Sequence, residues 1–239
     1  MDRIEFDEVN HRYTYNGQLV VGVTTICDQL SKDFMAPWAV KEMELYLKDN
    51  WKCGKKYNQI ERDKIIKKGK VQYKEKSDKA KISGKIAHEW IEKRIKGEKP
   101  KMPEDKSACN AISAFLKWND KVKPKWIANE MIVANIEDGF TYAGTLDFIA
   151  EWDGKTYLGD FKTSSQIGEG YHIQTALYQY ALEKQNVKID GRFLLRLDKT
   201  TGEYEDFYVP TPYAFDLEVG KALYNIHKWR SYINNRKNI

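Results

Sequence analysis

Apolar and polar positions in this chain follow two rhythms. From residue 127 onward the pattern is strand-like: segments 127–134, 140–151 and 155–163 are separated by Asp138-Gly139 and Asp153-Gly154. Short β-rich runs joined by Asp-Gly pairs predict a three-stranded meander. A hairpin is predicted over 11–23, where Tyr13 and Tyr15 lead into Asn16-Gly17 and Leu19, Val21 and Val23 alternate beyond it. Another is predicted over 192–197 and 204–209, around Thr201-Gly202. Elsewhere the spacing is helical. Thr24 or Thr25 is placed to cap a helix to about Leu30, and Pro37 suits the first turn of a helix over 38–47. Ile82, Ile86 and Trp90, with Ala87, Ile91 and Ile95, form one apolar face over 83–96, which Gly97 and Pro100 stop. Further helices are predicted over 108–121, over 171–184 with a stripe of Ile173, Ala176, Leu177, Tyr180 and Ala181, and over 213–232. Residues 52–81 hold only scattered apolar positions such as Ile60, Ile65 and Ile66, and read as helices with a mobile loop. Strands mixed with helices and no internal repeat predict one α/β domain over 1–239, with 1–81 a helical basic elaboration and 82–239 the core.

Composition narrows the class. With 239 residues, 41% hydrophobic and 31% charged, the chain is expected to be a soluble globular protein. No apolar run approaches the ~20 residues of a membrane helix, and Met1-Asp2-Arg3-Ile4-Glu5 lacks the layout of a secretion signal. Cys27, Cys53 and Cys109 are far apart with no C-x-x-C pair, which argues against a disulfide or zinc framework and for a reducing, cytoplasmic compartment. The net charge is +5, but between Lys52 and Lys101 there are 18 Lys or Arg against 7 Asp or Glu, a local net of +11 that leaves −6 for the remainder. A basic lobe beside an acidic one suits a protein that holds a polyanion and gathers carboxylates elsewhere. A solvated, lysine-rich helical surface would give the same count.

The hairpin around Asp153-Gly154 carries the chemistry. A two-residue loop there pairs residues whose numbers sum to 307, so Asp147 faces Asp160. Opposed carboxylates repel, and a divalent cation between them reverses that interaction. Lys162 lies two residues beyond Asp160 and shares its face. An exposed Asp160–Lys162 ion pair is the plainer account. Leu146, Phe148, Ile149, Tyr157, Leu158 and Phe161 argue against it, because they predict a buried hairpin in which charges need partners or metal. A two-residue loop at Asp138-Gly139 would bring Glu130 opposite Asp147 as a third carboxylate. The two registers direct the same backbone groups of the middle strand to both neighbours, so a bulge or longer loop is expected, at 137–139 or at Gly144.

These residues resemble a known family. Gly144-Thr145-Leu146-Asp147 followed by Gly159-Asp160-Phe161-Lys162-Thr163 is similar to the G-x-x-D…(D/E)-x-K core of PD-(D/E)XK nucleases. Gln174-Thr175-Ala176-Leu177-Tyr178 and Gly84-Lys85-Ile86-Ala87-His88 resemble the Q-x-x-x-Y and G-x-x-x-H helices of its RecB-like branch, which includes phage exonucleases and the mitochondrial genome maintenance exonuclease. The His11-x-Tyr13 hairpin leading into Val23-Thr24-Thr25-Ile26 resembles the phage members. The resemblance implies a restriction-endonuclease-like core with a central mixed sheet flanked by helices. It implies Mg²⁺ or Mn²⁺ held by Asp147, Asp160 and the Phe161 carbonyl, with His88 completing the shell. Lys162 would orient water or stabilise developing charge, Gln174 would sit near it or near DNA, and Tyr178 would contact a phosphate or base. Lys85, Thr163, Ser164 and Ser165 would contribute to DNA binding. Some branch members carry a four-cysteine iron–sulfur cluster; with no cysteine after Cys109, none is expected.

The function implied is a sequence-nonspecific DNA exonuclease in replication, recombination or repair. It would act on single-stranded DNA or free ends, with a recombination or replication protein as a partner and no membrane. A flap or overhang endonuclease, an RNA-directed nuclease and a non-catalytic nucleic-acid-binding module are the competing readings. Trp38, Trp51, Tyr57 and Tyr73, within or beside the basic stretch, suit either base stacking or the core of the lobe, the latter especially for Trp38.

Overall fold

The strand-like segments of the second half form the middle of one large sheet. The computed structural model describes residues 3–10, 12–30, 35–137 and 139–236; His11 and Asp138, singled out above, lie outside them. The chain divides into two compact units, Met1–Leu30 with Ala87–Ile239, and Ser31–Ile86.

The first unit holds strands β1 (Ile4–Asp7), β2 (Arg12–Tyr15), β3 (Gln18–Gly22), β4 (Lys125–Glu137), β5 (Phe140–Trp152), β6 (Lys155–Lys162), β7 (Gly191–Leu197) and β8 (Tyr204–Tyr208). They form one mixed sheet in the order β1-β2-β3-β5-β6-β7-β8, with β4 pairing β5 on its other side. The β3–β5 and β6–β7 pairs are parallel and the others antiparallel. Helices α1 (Val23–Cys27), α4 (Lys106–Val122), α5 (Glu169–Lys184) and α6 (Tyr213–Arg236) complete the unit. This is the restriction-endonuclease-like arrangement expected: a central mixed sheet flanked by helices. One core joins Tyr142, Leu146, Ile149 and Leu158 of the sheet to Ile173, Leu177, Tyr178 and Ala181 of α5. Elsewhere Trp118 of α4 packs against Phe148, Trp152 and Phe193, with ring centroids 5.6–6.4 Å apart.

The second unit contains α2 (Met35–Asn50) and most of α3 (Gln59–Ile95), a helix whose last turns belong to the first unit. Residues 59–95 therefore form a single helix, where the sequence suggested broken helices, a loop and a fresh start near Ser83. Within its unit the stretch before Ile82 packs on α2, where Gly69 lets Met43 and Tyr46 approach within 3.4 Å of where a Cβ would stand. The aromatics of the lobe pair with one another, Trp38 edge-on to Tyr73 at 6.0 Å and Trp51 against Tyr57 at 5.3 Å. Glu42 is buried and is met by Lys76 and the Trp38 indole N–H.

Other boundaries also differ from expectation. The N-terminal hairpin gains a third strand, β1, held to β2 from Ile4↔Tyr15 to Asp7↔Arg12. Helix α1 starts two residues or more early, with Gly22 at its N-cap and no side-chain cap, and it ends at Cys27 instead of near Leu30. Asp105, not singled out by pattern, caps α4 by accepting from the Ala108 N–H at 2.7 Å. Among the described residues no helix is long and apolar enough to cross a membrane.

Register is where sequence arithmetic meets structure most closely. The β5–β6 pairs, Phe148↔Gly159 through Trp152↔Lys155, all sum to 307. The β4–β5 pairs from Asn129↔Phe148 to Glu137↔Phe140 all sum to 277. The expected irregularity exists, but at neither proposed position: the register shifts between Trp126 and Ala128. Glu130 also adopts φ +49°, a left-handed conformation rare for a residue with a side chain. Leu146 and Ile149 share one core although a strict two-residue period would send them to opposite faces, so the alternation of β5 slips beside Asp147.

Candidate active site

The slip coincides with a notch in the sheet. On one side β5 pairs with β3 only at Tyr142 and Ala143, and with β6 only from Phe148 onward. Residues 144–147 between these contacts have no strand partner on that side among the described residues. The C-terminal ends of β3 and β6 converge on the gap, a location where α/β sheets commonly bind ligands. Asp147 lies in it, one residue past the last β5–β6 pair, and Asp160 and Lys162 end β6.

Two groups of side chains occupy the notch. Suitable ligand atoms of His88, Glu130 and Asp147 all lie within 4.8 Å of one another. His88 Nδ1 is 3.6 Å from Asp147 Oδ2, and the ring stands edge-on to Phe161 at 6.1 Å. The second group centres on Gln174. Its amide oxygen accepts from Lys162 Nζ at 3.1 Å, while its nitrogen donates to Asp160 Oδ1 at 3.2 Å and to the Tyr178 hydroxyl at 3.1 Å. Lys162 also forms an ion pair with Asp160 and sits 4.2 Å over the Tyr171 ring. The β5–β6 ladder stops at Phe148↔Gly159, so Asp147 and Asp160 are not the ladder pair that the sequence predicts, and each has its own donor: Asp147 Oδ2 accepts the Phe161 N–H at 2.7 Å, and Asp160 faces Lys162 and Gln174. Donors of the chain itself carry part of the balancing that the sequence argument assigned wholly to a cation.

Burial sets the charges. Burial pushes the Asp147 carboxyl up to about 6, against Lys162 and the Phe161 N–H. Burial and the Asp147 charge push Asp160 to about 6. Glu130 rises to about 8 through burial and the charges of Asp147, Glu92 and Asp160. His88 falls to about 4 because burial disfavours the imidazolium, with Asp160 and a Phe161 backbone hydrogen bond opposing. Burial would lower Lys162, but Asp160 and Asp147 outweigh it and the net shift is upward. A neutral imidazole beside clustered carboxylates that resist ionising together is a donor set suited to a divalent cation.

Glycines explain the spacing of the motif. A Cβ on Gly144 would stand 2.6 Å from the Tyr178 ring and 3.0 Å from Val23. A Cβ on Gly159 would fall within the Phe148 ring, 1.9 Å from its Cζ. Gln174 and Tyr178 are buried, at 7% and 2% exposure, where the sequence placed them at the flank of the stripe. Tyr178 thus turns its hydroxyl to Gln174 instead of to solvent. Thr163, Ser164 and Ser165 follow β6 with Ser165 exposed, and the Ser164 hydroxyl donates to the Gln166 carbonyl at 2.8 Å. Lys85 is exposed on α3 and belongs to the Ser31–Ile86 unit. Two neighbours of the site escaped the sequence reading. Tyr171 is three residues before Gln174 on the same helix face, a spacing that could have flagged it. Tyr13 of β2 meets Thr145 hydroxyl to hydroxyl at 2.9 Å, a contact across 132 positions with no local signal.

Sheet, notch and donor set together define an α/β protein with a buried polar centre whose ligand atoms could hold a divalent cation. The sequence model of the PD-(D/E)XK nuclease superfamily matches residues 65–235, and the chain belongs to that superfamily. It is therefore a nuclease of a superfamily that uses divalent metal ions. Comparison with curated proteins finds no match. Among solved structures, the crystal structure of SSO0001 is similar at a TM-score of 0.33 and 12% identity, over 48% of this chain and 57% of that one. A likeness that low and partial adds nothing to the functional assignment.

Proposed function

We propose that the protein is a metal-dependent deoxyribonuclease of the RecB-like branch, acting without sequence preference on single strands or free DNA ends. The observation that carries the reading is the Gln174 amide, which holds Lys162 and Asp160 at once beside the His88, Glu130 and Asp147 cluster. His88, Asp147, Asp160 and the Phe161 carbonyl would hold the ion, with Glu130 near enough to join them; bound, it supplies Lewis-acid stabilisation to the scissile phosphate and acidifies a water. In hydrolysis the water oxygen bonds to phosphorus, the bond to the leaving sugar oxygen breaks, and the leaving oxygen takes up a proton. Lys162 stays protonated through neutral pH, so it serves as a positive charge for the crowded phosphate and not as a proton acceptor. Gln174 and Tyr171 restrict where that ammonium can point. The neutral His88 imidazole favours Mn²⁺ over Mg²⁺.

The test is digestion of end-labelled single- and double-stranded DNA with Mg²⁺ and with Mn²⁺, alongside covalently closed circles. Release of nucleotides from labelled ends with intact circles is the expected result. Asp160→Asn and Lys162→Ala should each lower the rate by about 10²–10³ or more while DNA binding persists. Wild-type protein that cuts no DNA of any form with Mn²⁺ would remove the hydrolytic reading and leave a binding module.

A further inference from the structure

We propose that the C-terminal half of α6 is a second contact surface for single-stranded DNA, separate from the site at the notch. The inference rests on the DNA-directed reading above and extends it. From Lys221 to the end of the sequence there are five basic residues and no acidic one. Within α6, Ile226, Trp229 and Tyr232 follow one another at three-residue steps and so share a face. They are 38%, 60% and 57% exposed. The indole and the phenol are thus left largely open to solvent.

The charges around them are available to a polyanion. Lys221 lies over the Phe140 and Tyr180 rings, Lys228 over Tyr224 and Arg236 over Tyr232, while Arg230 donates to the Gln29 side-chain oxygen at 2.9 Å. These contacts, among the described residues, are with aromatic faces and an amide, which leave the positive charges un-neutralised. The inner face of the same helix is fixed: a Cβ on Gly220 would stand 3.0 Å from Leu177, and Leu223 and Tyr224 are buried. Beyond Tyr224 the described residues of α6 are exposed or half-buried, so this stretch of helix extends from that anchored turn. Flat rings between cations are what a sequence-tolerant single-strand surface needs, because every base can stack and every nucleotide carries a phosphate. A second copy of the chain is the other natural occupant of an exposed apolar stripe. It fits less well, since self-pairing of this face would set basic residues against basic residues with no acid to intervene.

The experiment is anisotropy of a fluorescein-labelled oligothymidylate of about thirty nucleotides in EDTA, with wild type and the Trp229→Ala/Tyr232→Ala double variant. Stacking on two aromatics predicts a loss of roughly tenfold or more in affinity. The Trp229→Phe/Tyr232→Phe variant, which keeps the rings, should retain most of it. Unchanged affinity in the alanine variant overturns the proposal. So does a shift from dimer to monomer by light scattering with affinity unchanged, because the face would then be a contact between copies. An equal loss in the phenylalanine variant also overturns it, since the rings would then not be the binding element. Protein that binds through α6 but cuts nothing keeps this inference and removes the nuclease reading. Protein that cuts DNA with no contribution from Trp229 and Tyr232 does the reverse.

Discussion

At the residue scale, Gly144 and Tyr178 form a lock beneath the site. The ring of Tyr178 occupies the space that a side chain at 144 would need, and its hydroxyl receives the Gln174 amide that places Lys162. Gly144→Ala must therefore push the ring aside. We expect a loss of roughly 1–3 kcal/mol in stability by denaturant titration, with a fall in kcat larger than any change in KM, because the ammonium of Lys162 is displaced. Equal stability and activity would show that the ring yields without cost. The carboxylates give a second prediction, with a definite sign. Asp147 and Asp160 are pushed up to about 6 and Glu130 to about 8, well above the unfolded range of roughly 4. Groups raised in this way leave the fold most stable while they are protonated, and that stability drains away as pH climbs through 6 and then 8. His88, pushed down to about 4, works the other way below pH 6.5, so in EDTA the melting temperature should fall between pH 7 and pH 9, where Glu130 titrates and His88 is neutral in both states. Mn²⁺ should restore it strongly at pH 8 and little at pH 5, since the ion competes with protons for the same oxygens. Thermal melts at matched ionic strength read this directly; a melting temperature that rises from pH 7 to pH 9 in EDTA contradicts it.

At the scale of elements, the decisive feature is a defect in a strand. Glu130 turns left-handed opposite the point where the alternation of β5 slips, and this brings its carboxylate to His88 and Asp147. A left-handed non-glycine residue costs on the order of 1 kcal/mol, and the added negative charge is disfavoured as well. Glu130→Gly should raise the melting temperature of the metal-free protein at pH 8 by a few degrees and weaken Mn²⁺ affinity measured by calorimetry. Unchanged Mn²⁺ affinity would mean that Glu130 is no ligand. The same defect marks the limit of reading this chain by pattern. The 307 register of β5 and β6 followed from Asp153-Gly154 alone, because a tight turn sets pairing locally. The conflict between the two registers was also legible, since it is a matter of parity. Where the strands would break was not, because Ile127 and Glu130 look like ordinary strand residues and only packing on both faces selects them. Helix α3 shows the opposite failure. Within its unit its lysine-rich stretch packs on α2 without a full apolar stripe, so periodicity underestimated its continuity. Motif spacing singles out His88, Gln174 and Tyr178, but not the burial of the last two, because Gln174 is polar and two of its partners, Asp160 and Lys162, come from β6.

At the scale of the whole molecule, charge is sorted by unit. The Ser31–Ile86 unit carries the densest part of the basic stretch, whereas the carboxylates gather at the notch of the other unit. Lys64, Lys67, Lys68 and Lys70 are exposed within two turns of α3. A lysine-rich helix that merely keeps the protein soluble and one that tracks a nucleic-acid backbone have the same composition, but salt separates them. Each phosphate neutralised releases condensed counterions and contributes roughly −0.7 to the slope of log K against log salt for a single strand. If the lobe engages DNA, replacing these four lysines with glutamine should flatten the slope by about 2–3 and weaken binding at low salt far more than at high salt. The rate at saturating substrate should hardly change, because none of the four belongs to the notch. Trp229→Ala/Tyr232→Ala should behave differently, lowering affinity at every salt concentration, because stacking releases few ions. A quadruple variant with the wild-type slope would show that the lobe is a solvated surface and that the substrate is drawn in by the sheet unit alone.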